Sequence, residues 1–330
     1  MSPSPDHTTV SRSALVVGGA GFIGSHLLEE LALDHARLVS LDIVEPTRPV
    51  AGVEYERGDI RGPLDVEGDF DVVYNLAAVH RTPGHPDAEY FETNVAGASN
   101  VTGFCRERAI KTIVFASSIS TYGPGEDQKT EESELSPVTS YGKSKTVAER
   151  IHREWLDEAP DHRLIVPRPA VTFGLGEGGN FDRLLKAMRQ RRFVYPGRTD
   201  TIKSCGHVTD LVGSIAWALS LEDRTITYNF CYPERTTIAQ IATAIADTFD
   251  IPAPRFCAPL KLMLALAAPF DLLEKAHLRT GINKARIMKL VESTNVYPTV
   301  LVERGYEFRT NLETGVGLWA ESLEAHARAG

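Results

Sequence analysis
The stretch ALVVGGAGFIGSHLLEEL, residues 14–31, constrains the fold more than any other part of the chain. A short apolar run enters a turn with glycine at positions 18, 19, 21 and 24, and apolar residues then recur at three- and four-residue intervals. The first part reads as a buried strand and the last as an amphipathic helix. A turn with so few Cβ atoms bends sharply and lets an anion approach the free N–H groups of the helix N-terminus. Gly19-Ala20-Gly21-Phe22-Ile23-Gly24 has the Gly-x-Gly-x-x-Gly form, and it lies between strand and helix, where that form specifies a dinucleotide pyrophosphate.

Asp42, eighteen residues past Gly24, closes the second apolar run, ARLVSLD. A carboxylate there accepts from an adenosine ribose and repels a 2′-phosphate, so NAD(H) is expected over NADP(H). Asp59 and Ile60, in the turn RGDIRG after the third strand, are placed to meet an adenine or to serve as a surface turn.

Further short runs, DVVYNLAA (71–78), KTIVFASS (111–118) and RLIVPRPA (163–170), alternate with helical periodicity. That rhythm predicts a doubly wound α/β fold around a parallel sheet. Past residue 170 it changes, with a Gly-rich FGLGEGGN and helices expected near 180–191, 209–221 and 236–249. We therefore expect a disordered lead-in over 1–11, a dinucleotide-binding domain over 12–170 and a smaller substrate lobe over 171–330, with part of 207–230 returning to the main sheet. The polar loop 123–137 is long enough to suspect a function.

With 330 residues, a net charge of −9 and a pI near 5.6, the chain as a whole has little electrostatic drive toward nucleic acid or anionic lipid. Lys186, Arg189, Arg191 and Arg192 read as the solvated cationic end of a helix. Four scattered cysteines, with no Cys-x-x-Cys pair, argue against a zinc site and a disulfide framework, and fit a reducing cytoplasm. No signal peptide is expected in MSPSPDHTTVSRS. The apolar run LMLALAAPFDLL (262–273) is too short to span a bilayer and reads as a core or packing helix.

In SYGKSK, Tyr141 and Lys145 stand four residues apart, on one face of a helix. An ammonium near a phenol stabilises the phenolate and makes a usable general base. Alone the pair is more consistent with two exposed side chains on a helix than with a catalytic device. Behind a dinucleotide turn, and with Ser117 and Ser118 ending a strand at the same sheet edge, it points to a proton-transfer site.

The segments GGAGFIGSH (18–26), GDI (58–60), NLAA (75–78), TNVAG (93–97), VFASSISTYG (114–123), SYGKSK and HVTDL (207–211) together resemble the extended short-chain dehydrogenase/reductase family, in its nucleotide-sugar epimerase, dehydratase and reductase branch. The likeness to UDP-glucose 4-epimerases covers roughly residues 12–220. It implies that Tyr141 is the acid/base, that Lys145 orients the nicotinamide ribose and lowers the phenol pKa, and that Ser118 binds the reacting oxygen. It also implies an NAD site formed by Gly18, Gly21, Phe22, Ile23, Gly24, Asp42, Ile43, Asp59, Ile60, Leu76, Ala77, Ala78, Asn94, Ser117 and Pro169 with Tyr141 and Lys145. Substrate contacts are implied for Ser118, Ser120, Asn180, Arg192, Val194, Tyr195 and Lys203, with His80 and Arg81 nearby. The helices at about 88–109 and 141–157 imply a homodimer.

Dehydratases of this branch carry Thr-Asp-Glu where this chain has Ser118-Ile119-Ser120, so dehydration is not expected. The leading expectation is an NAD-dependent nucleotide-sugar 4-epimerase, with a UDP-sugar as the first candidate substrate. A nucleotide-4-keto-sugar reductase stays open, because Val171 and Lys203 stand where many hexose epimerases have asparagine and arginine. A non-catalytic NAD-binding regulator is a third class, opposed by the intact Ser118, Tyr141 and Lys145.

Overall fold
The computed structural model describes residues 12–81, 84–275 and 284–329. The segment 1–11, expected as a lead-in, lies outside them. Seven parallel strands form the main sheet: β1 Arg12–Val17, β2 His35–Asp42, β3 Val53–Arg57, β4 Val72–Asn75, β5 Thr112–Phe115, β7 Arg163–Pro169 and β11 Thr225–Phe230. Their order is β11-β7-β5-β4-β1-β2-β3, with the chain reversing direction between β1 and β4. In such sheets ligands bind at the carboxyl ends beside that switch.

Four long helices cover the sheet. α2 Asp87–Glu107 and α3 Ser140–Asp157 lie on one face, and α1 Phe22–Leu31 and α5 Val208–Ser220 on the other. The two-residue period of a strand feeds both cores. Leu15, Val17, Val39, Leu41, Val73, Ile113 and Phe115 pack under α2 and α3, while Ala14, Val16, Leu38, Val72, Tyr74 and Val114 pack under α1 and α5. The strands end earlier than the apolar runs suggest. β4 stops at Asn75 because Leu76–Ala78 turn across the end of β1, where Leu76 N–H donates to the Val17 carbonyl (2.9 Å).

The second lobe is built from α4 Asn180–Arg189, α6 Ile238–Thr248 and α10 Leu312–Ala329 around Phe173, Phe181 and Trp319. The Phe173 and Phe181 rings stack at 4.2 Å between centroids. Three short parallel pairs tie the lobe together: β6 Gly125–Lys129 with β13 Thr294–Val296, β8 Val171–Phe173 with β10 Cys205–His207, and β9 Tyr195–Pro196 with β12 Cys257–Ala258. The polar loop 123–137 is thus partly a strand. Its Glu131 accepts from the N–H groups of Asn229 (2.9 Å), Thr299 (3.2 Å) and Val300 (3.3 Å), binding the loop to β11 and to α9 Thr299–Glu303.

The apolar run 262–273 lies in α7 Leu260–Lys275, which is followed by α8 Lys284–Val291. Over Leu260–Ala268 it packs on one side only, which fits the packing reading and not the core one. Ala267 is buried, but Leu262 and Leu266 are 53% and 64% exposed, because only one side of the helix meets the lobe. No helix among the described residues is long and apolar enough to cross a membrane.

Candidate active site
The turn between β1 and α1 is shaped by its glycines. Gly18 has φ +86°, and a Cβ there would stand 2.5 Å from the Ala77 backbone nitrogen. A Cβ on Gly24 would collide with the Gly18 carbonyl, so the start of α1 can approach the turn only without one. Gly21 is the N-cap and supplies no side-chain acceptor, which leaves the first N–H groups of α1 available to an anion. Asp42 at the end of β2 accepts from Ala20 N–H (3.0 Å) and Val44 N–H (3.2 Å), so its carboxylate is fixed beside the turn. Phe22 and Ile23 are half-buried, and Ile43 is exposed just past Asp42. The cradle, the bare N-cap and the fixed carboxylate fit a dinucleotide whose adenosine ribose keeps its 2′-hydroxyl.

Ile60 is buried against Gly97 of α2, its carbonyl accepting from the Asn100 amide (2.7 Å). The Asp59 carboxylate is held by Arg61, two residues on (2.8 Å to Nε). Leu76, Ala77 and Ala78 line the switch side of the turn. Asn94 spends its whole amide on the protein: Val79 N–H donates to Oδ1 (2.9 Å), and Nδ2 donates to the Val79 carbonyl (3.1 Å) and to Ser144 Oγ (2.9 Å). It therefore holds the loop after β4 against α3 and shapes the cofactor side without a free polar atom. Pro169 is buried at the end of β7.

Tyr141, Lys145 and Glu149 recur every four residues along the face of α3 that meets the sheet edge. The helix begins under Thr139, whose Oγ1 accepts from Gly142 N–H (3.0 Å). Position 142 must be small because a Cβ would run into the Ser120 carbonyl. The phenol of Tyr141 faces Ser118, whose hydroxyl draws its pKa down. Ser118 Oγ also accepts from Ser120 N–H (3.1 Å) and Ser120 Oγ (2.9 Å). Lys145 is buried with Nζ 4.5 Å above the centre of the Phe115 ring, a cation–π contact.

The electrostatics differ from the sequence expectation at one point. Burial pushes the Tyr141 phenol up to about 12, against the pull of the Ser118 hydroxyl. Lys145 does not lower it, since Lys145 stands a turn further along and is itself drawn down to about 7 by burial, with the Glu149 carboxylate acting the other way. The protein alone thus holds a protonated phenol beside an ammonium that readily gives up its proton.

Beneath the pair lies a buried network that the motifs do not announce. Glu149 receives Arg168 through Nε (2.9 Å) and Nη2 (2.7 Å), and Ser117 Oγ donates to the same carboxylate (2.5 Å). Arg168 Nη1 donates to Tyr122 Oη (2.7 Å), which donates to Asn229 Oδ1 (2.8 Å). Burial raises the Glu149 carboxyl, but Arg168, Ser117 and Arg153 outweigh it and hold the pKa below the ordinary value. Ser117 therefore anchors the strand end. Only its four-residue spacing from Lys145, on the same helix face, hinted at Glu149.

Two expected substrate contacts are already engaged. Asn180 is exposed at the start of α4, but the N-terminus of that helix is filled by Glu177, whose carboxylate accepts from the N–H groups of Gly179 (2.8 Å), Asp182 (3.2 Å) and Asn180. Lys203 Nζ donates to the carbonyls of Lys289 (2.6 Å) and Glu292 (2.5 Å) at the end of α8, capping that helix instead of facing the cleft. Tyr195 is buried in β9 with Val194 half-buried beside it, and Arg192 is exposed. His80 and Arg81 are exposed on the loop after β4, which Tyr90 of α2 orders by donating to the Arg81 carbonyl (2.5 Å) while its ring lies 6.4 Å from that of Tyr141. Among the described residues no cluster suits a metal ion, and all four cysteines are free.

The profile of the NAD dependent epimerase/dehydratase family matches residues 14–231. The chain belongs to that family. The epimerase/dehydratase fold also accounts for the structural likenesses. The UDP-glucose 4-epimerase of Thermus thermophilus, solved with NAD, superposes at a TM-score of 0.73 over 94% of this chain and 99% of that one, at 21% identity. The UDP-N-acetylglucosamine 4-epimerase of Methanobrevibacter ruminantium M1 gives 0.74 over 96% and 99%, at 17% identity. By sequence the chain is 28% identical to the N-acetyl-alpha-D-glucosaminyl-diphospho-ditrans,octacis-undecaprenol 4-epimerase of Escherichia coli O157:H7 over 96% of both chains. It is 29% identical to UDP-glucose 4-epimerase 3 of Oryza sativa subsp. japonica, over 71% of this chain and 76% of that one. The family's cofactor, NAD, is the one that the turn and Asp42 fit.

Proposed function
We propose that this protein is an NAD-dependent 4-epimerase of a sugar carried on a diphosphate, with a nucleotide sugar, UDP-linked in the first instance, as substrate. The observation that carries the reading is that Tyr141 faces Ser118, whose hydroxyl pulls on the phenol, with Lys145 one turn along the same helix face. NAD, when bound in the cradle of the Gly-rich turn, would supply a reversible hydride acceptor. Tyr141 takes the proton of the sugar hydroxyl and gives it back after the ketone has turned over. Ser118 holds the same oxygen, its hydroxyl kept in place by Ser120. Lys145, buried over the Phe115 ring one turn along the same face, is placed to orient the nicotinamide ribose. Glu149 takes no proton in this scheme, because Arg168 keeps it ionised and buried.

A lipid diphosphate in place of the nucleotide is a second reading, as in the name of the Escherichia coli relative. It is favoured by the match to that relative over 96% of both chains. We place the enzyme in the cytoplasm, as a homodimer formed through the outer faces of α2 and α3. The deciding experiment incubates purified protein with UDP-N-acetylglucosamine, UDP-glucose and polyprenyl-diphospho-N-acetylglucosamine. Interconversion of 4-epimers without net NADH change is the expected outcome, and light scattering should give twice the chain mass. Stoichiometric NADH oxidation on a 4-keto sugar would replace the epimerase by a reductase.

A further inference from the structure
We infer that the outer face of α7, with Phe256 and the cations around it, is a docking surface for an anionic lipid bilayer. Over Leu260–Ala268 the helix is apolar on both sides, Lys261 apart. Leu260, Met263, Leu264 and Ala267 recur at the spacing of one face and turn toward the lobe, with Ala267 fully covered. The opposite face carries Leu262, Ala265 and Leu266, where a surface helix normally presents charge. Phe256, 77% exposed, continues the apolar patch just ahead of the helix. Scattered single exposures need no explanation, but a contiguous set of large side chains marks a contact surface.

The charges around the patch select the occupant. Residues 183–192 and 251–268 contain seven lysines and arginines and no aspartate or glutamate, in a chain of net charge −9. The segments adjoin, because Tyr195 N–H donates to the Phe256 carbonyl (3.0 Å) and β9 pairs with β12. Arg191, Arg192, Arg255 and Lys261 are exposed on them. A second copy docking on this face through a twofold axis would bring these cations against their own equivalents. Anionic headgroups complement them, and the leucines and Phe256 enter the headgroup boundary as interfacial helices do. With no helix able to span among the described residues, the contact is peripheral. Gly197, after β9, backs onto Leu260, so the surface borders the segment expected to hold the far end of the substrate.

The inference stands whether the substrate is free or lipid-borne, so it can fail separately from the epimerase reading. The test is flotation of the full-length protein with phosphatidylglycerol-containing vesicles and with pure phosphatidylcholine vesicles. Wild type is expected to float with the anionic vesicles at least about tenfold more than with the neutral ones, and to be released by salt. Leu262→Glu/Leu266→Glu should abolish flotation while leaving the melting temperature and the activity on a water-soluble nucleotide sugar unchanged. Arg255→Ser/Lys261→Ser, which removes no apolar packing, should weaken flotation several-fold and serves if the first variant misfolds. Wild type staying unbound to both vesicles, or either folded variant floating as well as wild type, overturns the proposal. A lower subunit number in the leucine variant would assign the face to a protein interface instead.

Discussion
Tyr141 and Lys145 share a helix face, yet the protein tunes them in opposite directions, and each carries a different expectation. Tyr141→Phe removes the acid/base and should lower kcat by about 10²–10⁴-fold while NAD still raises the melting temperature. Glu149→Ala leaves the Arg168 guanidinium buried without its partner, which should cost about 3–5 kcal/mol in a denaturant titration. His152 is buried neutral: Nδ1 donates to the Ala148 carbonyl (2.7 Å), Nε2 accepts from the Asn75 amide (3.2 Å), and burial lowers its pKa to about 4, as it does for His207. A histidine depressed in the folded state takes up its proton more readily once unfolded. The histidines' contribution should therefore be full above about pH 6.5 and be lost as pH drops toward 4, with Glu149 adding a loss below the ordinary carboxylate range, while the depressed Lys145 lets stability rise further between about pH 7 and 10.5. Midpoints of urea unfolding at stepped pH check this. At this scale the sequence was informative where one residue type at one spacing has few uses, as with Gly18, Asp42 and Tyr141. It was silent on Glu149 and Arg168, and misleading on Lys203 and the α4 N-terminus, because an ion pair or a cap depends on which distant elements meet.

The elements show the same division. The strands and long helices were legible from periods of two and of three to four, since burial on both sheet faces leaves that imprint on the chain. Their ends were not, because β4 stops where its neighbour stops and not where its apolar run does. Apolar content marks α7 as a core or packing helix, but it does not tell which side is covered. The Gly-rich turn yields a sharper expectation. Gly18→Ala forces a Cβ at φ +86° against Ala77, so it should remove the rise in melting temperature that NAD gives the wild type. NADP should give little rise in either protein, since Asp42 repels the extra phosphate. Differential scanning fluorimetry with both nucleotides reads the two outcomes together.

The molecule as a whole is two lobes threaded by one chain. The chain leaves the main sheet at Pro169 and returns at Thr225, and the second lobe also draws on residues beyond β11, through α6 and α10. A protein ending at residue 224 would lack β11 and with it Tyr228 and Phe230, both fully buried. It should be recovered only as aggregate. The crossover also sets an order of events on the ribosome. Until residue 230 has emerged, the carbonyl and amide groups of β7 have no partner on their outer side, and a parallel strand so far along the chain is slow to arrive. During that interval the exposed strand can recruit an edge from a neighbouring nascent chain. Yield of native protein should therefore depend more on the rate of synthesis and on chaperone supply than on final stability.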